Sequence, residues 1–107
     1  MEHDYRDVLR KAASYVEQGW CQNSFTDRVG NDYESLTEFE GSTRWCLLGA
    51  IKQSAYDMYG PNEKAETEAS LAEMQVRKTI AVPQVWNDSR GRTADEVAEA
   101  LRQAADA

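Results

Sequence analysis

The 107-residue sequence has no apolar run approaching the roughly 20 residues that a membrane-spanning helix needs. Its opening stretch, MEHDYRDVLRK, is charged and amphipathic and lacks the apolar segment and small-residue cleavage site of a signal peptide. A soluble, cytoplasmic protein with no membrane partner is therefore expected. Cysteine is scarce: Cys21 and Cys46 are too few for a disulfide scaffold. With His3 as the one histidine, they are also too few for a zinc site, so no metal and no cofactor are expected. Six glycines and two prolines make a chain with little punctuation, which suits a folded globule better than a disordered segment. Basic residues lag behind acidic ones, 12 against 19, for a net charge of −7. That balance disfavours direct binding of nucleic acid, which is driven by clustered Lys and Arg.

What is present is mostly helical pattern. Tyr5, Val8, Leu9, Ala12, Tyr15 and Val16 recur at helical spacing between residues 4 and 18, and Gly19 stands where that helix would stop. A second helix is expected at about 44–58, capped by Ser42 or Thr43. Its apolar residues lie on two faces, which marks the central, most buried helix. Gly49 in its middle costs about 1 kcal/mol against alanine, which implies close packing of another element. Gly60-Pro61 ends it, and Asn62 can cap a more polar helix over roughly 63–79. Pro83 opens a short element carrying Val85 and Trp86. Thr93 and Glu96 then form the capping box of a last helix over 94–105. The expectation is one all-α domain over residues 1–107, a small orthogonal bundle of about four to five helices.

Residues 22–42 break this pattern. They form one long, polar, acidic loop, with a short hairpin allowed around Val29-Gly30-Asn31-Asp32 and with Phe25, Tyr33, Leu36 and Phe39 to pin it. Loops of that length inside compact domains are uncommon and often functional. Residues 29–43 carry Asp32, Glu34, Glu38 and Glu40 and no basic residue.

Two segments carry candidate chemistry: WCLLGA (residues 45–50) and WND (86–88) followed by GRT (91–93). Cys46 lacks a histidine base, so it reads as a buried packing residue and not a nucleophile. Asp88 can pair with Arg92 or Arg44, cap its own loop or serve as a general acid-base group, and Asn87 can bond loop backbone; the structural roles together would clamp residues 87–92 onto the second helix. Alternatively Trp20, Trp45 and Trp86, rimmed by Arg44, Asp88 and Arg92, wall a pocket for a nucleotide-like ligand.

Taken with Gly19-Trp20 at the end of the first helix, the WCLLGA and WND…GRT segments resemble DUF6197, a family of small proteins found mainly in actinobacteria and their phages. Residues 60–80 carry little of the likeness. The resemblance implies a lineage and a fold but no mechanism, since the family has no assigned activity. Its phage side implies an accessory protein that inhibits a host factor, of the anti-defence or anti-CRISPR type. The leading expectation is thus a non-catalytic binding protein whose partner is a host protein with a basic surface. Contact would run through Asp32, Tyr33, Glu34, Glu38, Phe39 and Glu40, with Tyr33 and Phe39 as anchors. The small-ligand pocket is the alternative.

Overall fold

The computed structural model describes residues 4–30 and 32–107. His3 and Asn31 lie outside the described residues, and with Asn31 the tip of the hairpin allowed by the sequence. Among the described residues no strand forms. The elements are α1 (Tyr5–Gln18), a short 3-10 helix (Leu36–Phe39), α2 (Leu47–Tyr59), α3 (Glu63–Arg77), α4 (Pro83–Asn87) and α5 (Ala94–Asp106). The chain is an all-α bundle in which α1 packs against α5, α2 and α3, and α2 packs against both α1 and α3.

Three of these helices start where their own side chains can cap them. Asp4 accepts from the Arg6 amide at 2.9 Å while Asp7 reaches back to the Asp4 amide, a full capping box. Asp4 is therefore the cap of α1 and not its first turn. Asn62 caps α3, accepting from the Ala65 amide at 3.2 Å. Thr93 and Glu96 cap α5 reciprocally. The buried stripes follow the helical period: Val8, Leu9, Ala12, Ala13 and Val16 on α1, and Val97, Ala98, Leu101, Ala104 and Ala105 on α5. On α3 the stripe of alanines at 65, 69 and 72 lets α2 approach closely.

α2 begins later than its local sequence suggests. Residues 44–46 are extended because their backbone is used elsewhere. The Trp45 amide donates to Gly19 O at 3.1 Å, the Cys21 amide to Trp45 O at 3.2 Å, the Asp27 amide to Arg44 O at 3.1 Å, and the Cys46 amide to Phe25 O at 2.9 Å. The 42–46 segment is thus gripped between residues 19–21 and 25–27, and neither Ser42 nor Thr43 caps the helix. Cys46 does, its Sγ accepting from the Gly49 amide at 3.3 Å. The helix ends at Gly60, whose φ of 87° only glycine adopts cheaply and whose amide bonds Tyr56 O at 2.7 Å.

Two glycines are required by the same grip. A Cβ on Gly19 would lie 2.1 Å from Thr43 O, and one on Gly49 would lie 1.8 Å from Phe25 O. Gly19 is extended, with φ −170°, so it ends α1 by letting the 43–45 segment cross it and not by turning left-handed.

Candidate functional site

The acidic segment is more ordered than a long loop would be. Ser35 and Glu38 form a capping box around the 3-10 helix, and the Glu38 carboxylate accepts from the amides of Glu34 at 2.6 Å and Ser35 at 3.0 Å. Those two amide hydrogen bonds hold the Glu38 carboxyl below its usual range. Phe39 is fully buried, so it is a core residue and not an exposed anchor. Its ring meets Tyr33 edge-on at 5.2 Å and Phe25 at 6.5 Å, and Tyr33 meets Phe25 at 5.5 Å. Tyr33 is half-buried beneath the Lys52 ammonium, 5.4 Å from its ring centre. Asp27 secures the far end. Burial would raise its carboxyl, but the Thr43 hydroxyl and the amides of Thr43 and Arg44 outweigh that and hold it below its usual range.

Asp32, Glu34, Glu38 and Glu40 are exposed, and among the described residues none of them forms an ion pair. The lack of cations is a property of the linear segment only. In space Lys52 lies over Tyr33 and the Arg28 side chain lies beside Gly41.

The WND segment forms a clamp whose centre is Asn87. It is fully buried; its Oδ1 accepts from Trp20 Nε1 at 2.8 Å and from the Leu47 amide at 3.0 Å, and its Nδ2 donates to Cys21 O at 3.2 Å. Gln22 closes the same joint, donating to the carbonyls of Asn87 and Ser89. Asp88 pairs with neither Arg92 nor Arg44. It accepts instead from the Asn23 amide at 2.8 Å, from Gln84 Nε2 at 3.1 Å and from Asn87 Nδ2 at 2.9 Å. Asn23 has φ 69°, a left-handed conformation that asparagine tolerates better than most residues, and this brings its amide to Asp88. Arg92 stacks on Trp86, its guanidinium carbon 3.9 Å from the ring centre, and ties to Trp86 O and Glu96. Arg44 is exposed.

The three tryptophans have separate surroundings. Trp20 turns its indole N–H to Asn87. Trp86 lines a cleft with Ile80 and Glu99. Trp45 is buried against Tyr15, with ring centres 4.5 Å apart, and donates to Gln53 Oε1 at 3.2 Å. Cys46 is fully buried, which pushes its thiol up to about 12 against the smaller pull of the Gly49 amide. Burial raises the Cys21 thiol as well. Neither cysteine has the thiolate character of a nucleophile at neutral pH.

A second constellation, which the motifs do not flag, opens beside Glu40. A cleft of about 330 Å³ is walled by Tyr15, Trp45 and Tyr56 and carries Glu40, Gln53 and Asp57. Gln53, Tyr56 and Asp57 come from successive turns of α2, Tyr15 from α1, and Glu40 from the end of the acidic loop. Tyr15 donates its hydroxyl to Asp57, Gln53 Nε2 donates to Asp57 at 3.2 Å, and Tyr56 donates to Glu40 at 2.7 Å. Partial burial pushes the Asp57 carboxyl up, with the Lys11 charge pulling the other way. The hydrogen bond to Glu40 raises the Tyr56 phenol. Tyr15, Tyr56 and Asp57 come from helices that pattern alone reads as core-facing, so only the folded chain brings them together with Glu40.

The full chain, residues 1–107, matches the model of a family of unknown function, DUF6197. The protein belongs to DUF6197. The match includes residues 60–80, where little likeness was visible in the sequence. No curated protein and no solved structure matches the chain. In this DUF6197 protein the two motifs meet directly, because Asn87 of WND accepts from the Leu47 amide of WCLLGA. Among the described residues no helix is long and apolar enough to cross a membrane.

Proposed function

We propose that this DUF6197 protein is a non-catalytic binding protein that recognises a basic surface on a protein partner through its acidic loop. The observation that carries the reading is the combination of exposed carboxylates, Asp32 and Glu34 foremost, with a backbone pinned by capping box, aromatic cluster and Asp27. A held array of like charge presents a fixed potential to a partner and loses little freedom on binding. Inhibition of a host factor, anti-defence inhibition included, is one use of such a surface. The nucleotide-like pocket has less support, because Arg92 already covers a face of Trp86 and Trp20 is committed to Asn87.

The test is capture of partners from host lysate by the immobilised protein, compared with Asp32→Asn/Glu34→Gln. Glu38 and Glu40 are left intact, since they hold the loop and Tyr56. A retained protein whose on-rate falls with added salt, and falls similarly in the double variant, supports the reading. Retention indifferent to both overturns it.

A further inference from the structure

We propose that the cleft between Tyr15, Trp45 and Tyr56 is a subsite for one arginine side chain of the partner, its guanidinium held against the rings by Asp57 and Glu40. The inference rests on the acidic-loop reading, since Glu40 belongs to both the loop and the cleft wall.

The chemistry is selective for a flat cation. Asp57 accepts only from a phenol and an amide, Tyr15 and Gln53, and Glu40 accepts from a phenol, Tyr56. Among the described residues neither carboxylate forms an ion pair. An ionised carboxylate has about four lone-pair positions, so both retain acceptor capacity toward the cleft. Two carboxylates repel an anion, and aromatic walls favour a cation. On the neighbouring turn of α1 the Lys11 ammonium sits 5.6 Å from the Tyr15 ring centre, and its charge acts on Asp57 without pairing with it.

Guanidinium suits this wall better than ammonium. It is planar, weakly hydrated, able to stack on a ring, and it offers a fork of N–H donors to a carboxylate. About 330 Å³ lies at the small end of ligand-binding cavities, the scale of one side chain or a small molecule. A metal ion is a poor match, since among the described residues no group of three or more His, Cys, Asp or Glu could hold one.

The experiment uses the full chain, labelled with ¹⁵N, and a capped glycine peptide carrying one central arginine. The control peptide replaces arginine with citrulline, its neutral isostere. The expected result is a concentration-dependent shift of the Trp45 indole and Gln53 side-chain amide signals with arginine and none with citrulline. Asp57→Asn should weaken that response about tenfold, the scale of one charge-assisted hydrogen bond. Should Asp57→Asn fail to fold, Glu40→Gln, at an exposed site, is read instead and should also weaken it. Equal response to citrulline, an unchanged affinity in the folded variants, or shifts confined to Asp32 and Glu34 overturns the subsite. The two readings fail separately. Peptide-induced shifts at Trp45 support the cleft even if partner capture ignores Asp32 and Glu34. Capture that depends on those residues with no movement at Trp45 removes the cleft alone.

Discussion

Asn87 joins three parts of the chain that are far apart in sequence: the turn after α1, the start of α2 and the end of α4. Its Oδ1 takes the Leu47 amide, one of the four N–H groups that the first turn of α2 leaves without a helical partner, while Cys46 Sγ takes the Gly49 amide. The α2 terminus is thus capped from within the helix start and from across the fold. Asn87→Ala leaves Trp20 Nε1, the Leu47 amide and Cys21 O without this partner inside the protein. Each such loss costs about 1–3 kcal/mol, so a total of at least about 3 kcal/mol is expected, read by urea unfolding. Cys46 contributes less. Serine there could still accept from Gly49 and donate toward Gln84, whose Oε1 lies 3.6 Å from Sγ. Cys46→Ser is therefore expected to cost less than Cys46→Val, which fills the space but removes the cap at about 1 kcal/mol. Alkylation of the native protein should modify half-buried Cys21 first and reach Cys46 only on unfolding, as mass spectrometry of tryptic peptides would show. Rapid labelling of Cys46 in the folded state would contradict its burial.

At the scale of elements, α1, α3 and α5 were legible because the residues that start them, Asp4, Asn62 and Thr93, sit beside the turns they cap. α2 was displaced by three residues because its start is fixed by non-local bonds, Trp45 to Gly19 and Cys46 to Phe25, to which helical periodicity is blind. The same holds for the acidic stretch. Ser35 and Glu38 have the spacing of a capping box, yet the helix they cap is only four residues long and too short to leave a periodic pattern in the sequence. Of the two roles the sequence allows Phe39, pinning the loop and anchoring a partner, its full burial fits only the first. The cleft was not legible at all, since its walls come from α1, α2 and the loop. The Gly49 inference, by contrast, was sound, and it is sharply testable. Ala is the better helix former by about 1 kcal/mol, but its Cβ would strike the Phe25 carbonyl, so backbone must move. Gly49→Ala should lower stability by about 1–3 kcal/mol, and a rise in melting temperature would show that Phe25 does not lie over α2.

For the whole molecule, the carboxylates pull the pH dependence of stability in opposite directions. Asp27 and Glu38 have lowered folded pKa values, so their contribution is present above the ordinary carboxylate range near 4 and is lost as pH falls through the lowered values. Asp27→Asn should flatten that acid limb. Asp57 is the reverse case. Its raised folded pKa means that the folded protein holds the proton more tightly, so its contribution is present below the unfolded pKa and is lost as pH rises through the folded one. The ionised Asp57 therefore costs the free protein stability at neutral pH, as expected of a group that awaits a cation. Asn can still accept from Tyr15 and escapes that cost. Melting temperatures of Asp57→Asn and the parent should converge at pH 3, where both side chains are neutral. The variant should move ahead as pH rises to 7, and saturating arginine peptide should narrow the gap by stabilising the parent more than the variant. A variant that melts earlier than the parent by the same margin at both pH values would make Asp57 a structural acceptor for Tyr15 and Gln53 and nothing more.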